Sequence, residues 1–558
     1  MKRKILLALM LAAVMASSSG CGLYLDYRLQ GRLPETETGG TTDEPDILLF
    51  PSAGEKDVID DVVFTAEYEE CLDGWYAGSA EAWPGIPWNT EEYSYTKENG
   101  WRSAAASPFS TFAADVDTAS YANLRRMILG GTKVPPDAVR IEEMVNYFKY
   151  DHEGPKEGEP FGVTAQIAPC PWNEETQLLM IGLKTAEPDL GELPPSNLVF
   201  LIDVSGSMDE YNKLPLVQRA FRLLAENLGP QDRVSIVTYA SGDEVVLEGA
   251  RGDEKERITE AVEDLMAGGG TNGSAGITTA YEIAEKYFIE GGNNRVILAT
   301  DGDLNIGVTD EGSLTRLITE KKESGVYLSV LGFGTGNISD TRMEALADNG
   351  NGNYSYIDDV AEARRVLVSE IGGTLFTAAD DVKLQVEFNP AKVRGYRLIG
   401  YENRLMDAED FADDTKDGGE IGAGHCVTVL YEIAGPGSAQ EIPEVSGRYS
   451  AQEAETEAGE EGPGEDEWLA VNIRYKDPGT AKSRLMVRPV TDSDVSAEMS
   501  SDLSWAAGVA QTGMLLSESE YAGTSSYENI RERLEEIDGV RSDPYREEFL
   551  YLLLRLTN

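Results

Sequence analysis

The nine residues from Phe200 to Met208 read "FLIDVSGSM", an apolar run that ends in oxygen-bearing side chains at alternate positions. Such a short and wholly apolar run is typical of a strand that is buried on both faces of a sheet. Asp203, Ser205 and Ser207 stand at the carboxyl end of that strand. Taken alone, the pattern fits a metal site, a nucleophilic serine or only a polar strand end, so the surrounding sequence has to decide.

Residues 197–372, which surround this stretch, alternate between short apolar segments and amphipathic ones. The apolar segments include "LVFLI", "RVSIVTYA", "RVILAT" and "VYLSVLGF", and the amphipathic ones include "LPLVQRAFRLLAENL" and "AGITTAYEIAEKYF". This alternation predicts an α/β fold with a doubly wound, mainly parallel sheet. Ligands of such sheets bind outside the carboxyl ends of the strands, where the strand order reverses.

Two more segments are expected at the same edge of the sheet. "GGGTNGS" places Thr271 just before a helix, and "ILATDGD" places Asp301 directly after a strand. Two carboxylates and three hydroxyls form an all-oxygen set of ligands, which suits Mg²⁺ or Mn²⁺ better than a soft metal. Because the hydroxyls add no charge, a divalent ion held this way keeps its attraction for an outside carboxylate.

With "DVSGSM", Thr271 and "TDG" in place, the region resembles the metal-ion-dependent adhesion site of von Willebrand factor type A domains. The wider chain resembles the bacterial YfbK-like subfamily of exported proteins with such a domain, in "STFAADVDTASYANLRRMI", "VRIEEMVNYF", "APCPWN", "GGNNRVILATDGD", "LGFGTGN" and "RLIGYENR". The resemblance implies a protein partner that presents an Asp or Glu carboxylate. It also implies five metal ligands for Mg²⁺ or Mn²⁺: Asp203, Ser205, Ser207, Thr271 and Asp301.

Strand patterns on both sides of the central region predict a second architecture around it. We expect a β-sandwich built from residues 156–196 and 373–490, with the domain at 197–372 inserted into it. Residues 435–466 are strongly acidic and predict a disordered insertion. Helical segments are predicted at 106–155, with helices over Asp117–Gly130 and Arg140–Tyr150, and at 491–558.

The N-terminus has the pattern of a bacterial lipoprotein signal peptide. Lys2, Arg3 and Lys4 precede an apolar run that is too short for a stable membrane span, and small residues lead to Cys21. We therefore expect residues 1–20 to be removed and Cys21 to be lipidated. Residues 21–105 then form an acidic, partly disordered spacer, and the mature protein sits in the cell envelope, extracytoplasmic and anchored to the membrane by lipid.

Charge and cysteine content limit the remaining function classes. The chain carries 47 basic and 99 acidic residues, a net charge of −52, so nucleic acid is not expected as a partner and the membrane only through the lipid anchor. Cys71, Cys170 and Cys426 allow three disulfide pairings, among which the sequence does not choose. There is no CxxC motif, which argues against a zinc site.

Enzymatic alternatives have weaker support. A serine hydrolase needs a base, but the two histidines, His152 and His425, lie outside the central domain. "DVDTAS", with Asp115 and Asp117, resembles the nucleophile loop of haloacid dehalogenase-type phosphatases, although no second α/β unit follows it. The other interpretation of that stretch is a helix start capped by Asp117 or Thr118.

Two further interpretations concern the "GFGTGN" stretch and the role of the metal. "GFGTGN", from Gly332 to Asn337, lacks the third glycine of a dinucleotide fingerprint and predicts a turn near the metal crevice. A scaffold that acts through its β-sandwich, with a purely structural metal, remains an alternative to the adhesion site. The preferred hypothesis is a binding module that is not an enzyme.

Overall fold

A computed structural model describes residues 90–114, 117–188, 193–270, 273–302, 311–443, 464–480 and 482–557. Several predictions from the sequence lie outside these residues. They concern the signal peptide, Cys21, most of the acidic spacer, Cys71, Asp115, Thr271 and residues 444–463 of the acidic insertion.

The described residues contain strands that we number β1–β17 in chain order. They are Arg102–Ser103, Phe109–Ala113, Phe161–Pro169, Gln177–Thr185, Ser196–Asp203, Arg233–Tyr239, Asp243–Arg251, Asn293–Thr300, Tyr327–Phe333, Tyr354–Ile357, Thr377–Phe388, Gly395–Ile399, Leu405–Met406, Gly419–Gly422, Cys426–Ala434, Glu467–Lys476 and Ser483–Thr491.

The α-helices of the same residues are numbered α1–α12. They are Ala119–Leu129, Ile141–Asn146, Leu214–Asn227, Lys255–Glu263, Gly273–Lys286, Glu311–Lys322, Asp340–Asn349, Val360–Arg364, Ile371–Leu375, Ser501–Leu516, Tyr527–Glu535 and Pro544–Thr557. A π-helical turn, Arg365–Ser369, continues α8.

The central domain is built on a six-stranded sheet in the order β10-β9-β8-β5-β6-β7. All pairs are parallel except β6 with β7, which closes one edge as an antiparallel hairpin. Every residue of β5 is buried, because apolar clusters cover both faces of the sheet. The doubly wound, mainly parallel fold is therefore confirmed. Strand order reverses between β5 and β8, so the crevice predicted for a ligand lies between their carboxyl ends.

Two antiparallel sheets form the sandwich around the central domain. Their strand orders are β1-β12-β15-β4-β3 and β13-β2-β11-β16-β17, with β14 added beside β11. A single apolar cluster that includes Phe112, Ile181, Val386 and Val429 lies between them. The insertion is confirmed, because strands before and after the central domain pair directly, as in Val427 of β15 opposite Leu183 of β4.

The prediction for residues 106–155 is wrong at its start. Phe109–Ala113 form a strand that pairs with β11, and Arg102–Ser103, assigned to the spacer, pair with β12. These strands are two and five residues long, so their own residues carry little periodicity. Their pairing with segments almost 300 residues away supplies the hydrogen bonds that make them strands.

The two helices predicted in this segment are shorter than their patterns suggested. The second helix ends at Asn146 instead of Tyr150, although Tyr147, Phe148 and Tyr150 are buried in the same apolar cluster as the helix. The first helix begins at Ala119, but neither predicted cap bonds to its backbone. Asp117 instead accepts a hydrogen bond from the Tyr354 amide at 2.9 Å, and the Thr118 hydroxyl accepts one from Arg365 at 2.7 Å.

The two cysteines in the described residues, Cys170 and Cys426, are not joined to each other and are free thiols. Burial raises the pKa of Cys170 to about 12 and that of Cys426 to about 11, so neither thiol is activated as a nucleophile. In the part of the chain that the structure covers, no helix is both long enough and apolar enough to span a bilayer.

Candidate metal centre

The first predicted ligand, Asp203, is the last residue of β5 and is fully buried. Its carboxylate is oriented by two donors. The Ser205 backbone amide donates to Oδ1 at 2.8 Å, and the Thr300 hydroxyl, at the end of the neighbouring β8, donates to Oδ2 at 3.4 Å. The strand end and its neighbour thus hold one carboxylate in a defined direction at the crevice.

Ser205 and Ser207 occupy the turn that follows. Their hydroxyl oxygens lie 2.9 Å apart, within hydrogen-bonding distance, and a short 3₁₀ helix, Gly206–Met208, positions both side chains. Ser205 is buried and Ser207 is partly exposed, so the pair leads from the buried aspartate towards solvent. The structure therefore brings together the three oxygen-bearing residues of the opening stretch.

A glycine loop lies directly against this turn. The Gly206 amide donates to the Gly269 carbonyl at 3.1 Å, and the Gly268 amide donates to the Val204 carbonyl at 2.8 Å. Gly269 has a φ of +84°, which favours glycine, and a Cβ there would come within 2.7 Å of the Ser241 hydroxyl. Thr271 lies two residues beyond Gly269, outside the described residues.

The second carboxylate, Asp301, follows β8 and is also fully buried. Gly302, the next residue, has a φ of +96°, and a Cβ at this position would meet the Ser339 amide nitrogen at 2.7 Å. The chain can therefore turn sharply after Asp301 and keep its carboxylate at the sheet edge. Asp203 and Asp301 end strands on opposite sides of the point where the strand order reverses.

The carboxylates of Asp203 and Asp301 interact electrostatically. Burial raises the pKa of Asp203 to about 6, and the negative charge of Asp301 contributes in the same direction, while hydrogen bonds from Ser205 oppose the increase. Burial and the charge of Asp203 likewise raise the pKa of the Tyr239 phenol. A positive charge in the crevice would offset the repulsion between these carboxylates.

The sequence did not identify Lys213 as part of this site. Its ammonium group donates to Asp301 Oδ2 at 3.1 Å and to Asn337 Oδ1 at 3.3 Å, and only 3% of its side chain is exposed. Lys213 directly precedes α3. At that position, nothing in the sequence pattern distinguishes a buried lysine from one at the surface. The "GFGTGN" stretch supplies Asn337, which confirms the prediction of a turn near the crevice.

The donor set fits a hard divalent ion. It consists of two carboxylates and two hydroxyls in the described residues, with Thr271 as the fifth oxygen predicted from the sequence. The described residues contain no group of three or more His, Cys, Asp or Glu side chains that could hold a metal. Asp209 and Glu210, at the rim, are exposed, and Glu210 lies 3.7 Å from the Lys213 ammonium group.

Asp117, one of the two aspartates of the phosphatase alternative, lies in a different environment. Asp117 is buried, and its two carboxylate oxygens contact the Tyr354 amide and, at 3.5 Å, the Arg404 guanidinium. Its carboxylate therefore joins the first helical segment to the central domain, while Asp115 lies outside the described residues. Asp117 acts here as a structural residue.

Comparison with known proteins places these observations in a family. Family models described as "von Willebrand factor", "von Willebrand factor type A domain" and "Uncharacterized protein YfbK, C-terminal" match residues 87–180, 197–368 and 373–558. The chain is 41% identical over 471 residues to "Uncharacterized protein YfbK" of Escherichia coli, a match that spans 83% of this chain and 80% of that protein.

More distant matches are confined to smaller parts or lower identity. Human inter-alpha-trypsin inhibitor heavy chain H4 is 30% identical over 167 residues, which are 28% of this chain and 18% of that protein. Among solved structures, "von Willebrand factor type A from Catenulispora acidiphila" is 18% identical, with a TM-score of 0.38, over 73% of this chain and 91% of that one.

The match over 83% of the chain and the domain model at residues 197–368 agree with the parallel sheet. Domains of this type are typically non-enzymatic modules for protein interaction, and many of them depend on a metal. The chain therefore belongs to the YfbK-like family of proteins with a von Willebrand factor type A domain.

Proposed function

We propose that this chain is a lipid-anchored, extracytoplasmic binding module that engages a protein partner through Mg²⁺ or Mn²⁺. The observation that carries the proposal is the convergence of two buried carboxylates, Asp203 and Asp301, with the paired hydroxyls of Ser205 and Ser207 at one edge of the sheet. Thr271 completes the proposed set of ligands.

The position of these side chains supports binding rather than catalysis. Asp203 and Asp301 contribute charge from the floor of the crevice, while Ser207 and the rim residues Asp209 and Glu210 reach solvent. No histidine lies in the central domain, so the crevice has no imidazole base beside its serines. A bound divalent ion would supply an electrophilic centre for an anionic group of the partner.

The charge of the site indicates the chemistry of the partner. Two carboxylates balance a divalent ion and the hydroxyls are neutral, so the bound ion would attract an Asp or Glu carboxylate from outside. Because the rim itself carries Asp209 and Glu210, a partner that places basic residues beside its carboxylate would fit better than a uniformly acidic surface.

The test combines metal-dependent stability with partner capture. We expect millimolar Mg²⁺ or Mn²⁺ to raise the melting temperature of the purified protein, because a ligand that binds only the folded state stabilises it. Proteins captured from an envelope extract in Mg²⁺ should be released by EDTA. A melting temperature that does not respond to either metal, with partners that stay bound in EDTA, would favour the scaffold that acts through its β-sandwich instead.

Membrane attachment has a separate test. Cys21→Ser should move the protein from the membrane fraction to the soluble envelope fraction without changing its melting temperature, because it removes only the proposed acylated residue. Cys71→Ser is the matched control and should remain with the membrane. Unchanged retention of the Cys21→Ser protein would contradict the lipid anchor.

A further inference from the structure

Lys213 is held at the candidate metal centre by contacts on three sides. Its ammonium group contacts Asp301 at 3.1 Å, Asn337 at 3.3 Å and the exposed carboxylate of Glu210 at 3.7 Å. Its aliphatic chain lies against Gly334, where an added Cβ would come within 2.4 Å of Cε and 2.5 Å of Cγ. The lysine therefore occupies a built position and is not a surface side chain that happens to reach inwards.

The loop that receives Lys213 is itself anchored. The Gly336 amide donates to a carboxylate oxygen of Glu91 at 2.9 Å, and the Thr90 amide donates to the Gly336 carbonyl at 2.8 Å. These bonds lie next to Asn337, which accepts from the lysine. The backbone of Lys213 is also fixed. Its carbonyl accepts a hydrogen bond from the Val217 amide at 2.9 Å, at the start of α3.

The ammonium group of Lys213 places a positive charge in contact with Asp301. We propose that Lys213 is a built-in competitor of the divalent ion: it pairs with Asp301 in the metal-free protein and weakens metal binding by repulsion. This inference rests on the proposed metal site. Both cations attract the same carboxylate, and charges a few ångströms apart in a buried crevice interact far more strongly than in water.

Two consequences follow from this arrangement. Without the metal, the ammonium group of Lys213 offsets the charge of Asp301, which acts on the buried carboxylate of Asp203 and would otherwise destabilise the domain. With a divalent ion present, the positive charges of the ion and Lys213 exceed the negative charges of Asp203 and Asp301 by one. The loaded crevice then attracts an anionic group more strongly than the two carboxylates and the ion would alone.

The test compares Lys213→Met with the wild-type protein. Metal affinity is measured by titrating the purified protein with Mn²⁺ and following free Mn²⁺ by electron paramagnetic resonance. We expect Lys213→Met to bind Mn²⁺ at least about tenfold more tightly, because one repelling charge is removed. In EDTA the same variant should melt at a lower temperature than the wild type, because the ion pair between Lys213 and Asp301 is lost.

Lys383→Met is the matched control. Lys383 is a fully buried lysine of the sandwich that pairs with Asp381 at 3.3 Å, so its loss also lowers stability. It should leave the affinity for Mn²⁺ unchanged. Lys213→Gln provides a second variant if Lys213→Met does not fold, since an amide can still donate to Asp301 and Asn337 but carries no charge. It should also bind Mn²⁺ more tightly.

The outcomes separate this inference from the proposed function. Wild-type binding of Mn²⁺ with unchanged or weaker binding in the Lys213 variants would overturn the competitor role and make Lys213 a positioning residue for Asp301. Binding that appears only in the variants would support the competitor role strongly. No binding by any of the proteins would overturn the proposed metal site and this inference with it.

Discussion

The guanidinium group of Arg125 lies 3.0 Å from the carboxylate of Glu362, although 237 residues separate the two in sequence. Both side chains are almost fully buried, and Arg125 also pairs with Asp358 and, at 3.2 Å, with Glu548. Burial acts to raise the pKa of Glu362, but Arg365 and Arg125 outweigh it, so the pKa lies below its usual value. This network joins α1 and α12 to the last helical turns of the central domain.

Loss of Arg125 should therefore destabilise the protein strongly. Arg125→Met leaves Asp358 buried without the guanidinium group it pairs with and removes one of the two guanidinium groups that pair with Glu362, so we expect the free energy of unfolding to fall by about 3–5 kcal/mol. Urea unfolding followed by circular dichroism measures the change. Glu548→Gln is the control with a smaller expected effect, because a third of the Glu548 side chain is exposed. A loss below about 1 kcal/mol for Arg125→Met would show that the network is not important for stability.

Thr271 offers a neutral test of metal binding. Thr271→Ala removes one proposed oxygen ligand without changing charge, so the fold should persist while the increase in melting temperature with Mg²⁺ disappears. In the wild type, Mg²⁺ at about 100 times its dissociation constant would add about 2.7 kcal/mol. Thr279→Ala, on α5, removes a hydroxyl that bonds to Asp243 at 2.7 Å and should keep the response to Mg²⁺. A full Mg²⁺ response in the Thr271→Ala protein would exclude Thr271 as a ligand.

Replacing Gly334 should destabilise the protein by more than the backbone angle of this residue alone would cause. Its φ is +79°, and a methyl group there would overlap the Lys213 side chain. Gly334→Ala should thus lower stability by more than about 2 kcal/mol and displace Lys213 from Asp301. Gly291, in the same domain, has a φ of +70° but open space around its Cα, so Gly291→Ala measures the backbone cost alone, about 1–2 kcal/mol. Equal losses in thermal unfolding would mean that Lys213 adapts without cost.

His152 should resist protonation. Its ring packs on Gly182, its Nε2 lies 2.9 Å from the Thr428 hydroxyl, and burial lowers its pKa from 6.5 to about 4 despite the opposing charge of Asp502. The pKa of His152 is lower in the folded protein than in the unfolded chain, so the fold favours the neutral imidazole. The resulting stability is fully present above the pKa of the unfolded chain and is lost as the pH falls. On the order of 3 kcal/mol should be lost as the pH falls from about 6.5 to about 4.

Nuclear magnetic resonance can follow this titration directly. The chain has two histidines, so His425→Gln assigns the remaining imidazole signal to His152. His152→Gln should also flatten the decline of melting temperature between pH 6.5 and pH 4, because glutamine does not titrate. A midpoint near 6.5 for His152 in the folded protein would contradict the buried, neutral imidazole.

Much of the fold and the proposed oxygen ligands of the site could be predicted from short stretches of sequence. The apolar runs of β5, β6, β8 and β9 are contiguous, so their burial pattern appears without any knowledge of the fold. Asp203, Ser205 and Ser207 lie on one strand end and turn, and local backbone geometry alone brings their oxygens together. Asp301 could be added because the carboxyl ends of parallel strands share one edge.

The tertiary structure decided what depends on residues distant in sequence. Lys213 reaches Asp301 across 88 residues, and Arg125 reaches Glu362 across 237. Asp117 bonds to Tyr354 instead of capping its own helix, and strands β1 and β2 exist because they pair with β12 and β11. Periodicity records which face of a segment avoids water, but a single lysine, arginine or aspartate has the same local pattern whether it faces solvent or a buried charge. Only the packing of the whole chain selects its partner, because ion pairs and strand pairing gain their stability from burial that distant segments provide.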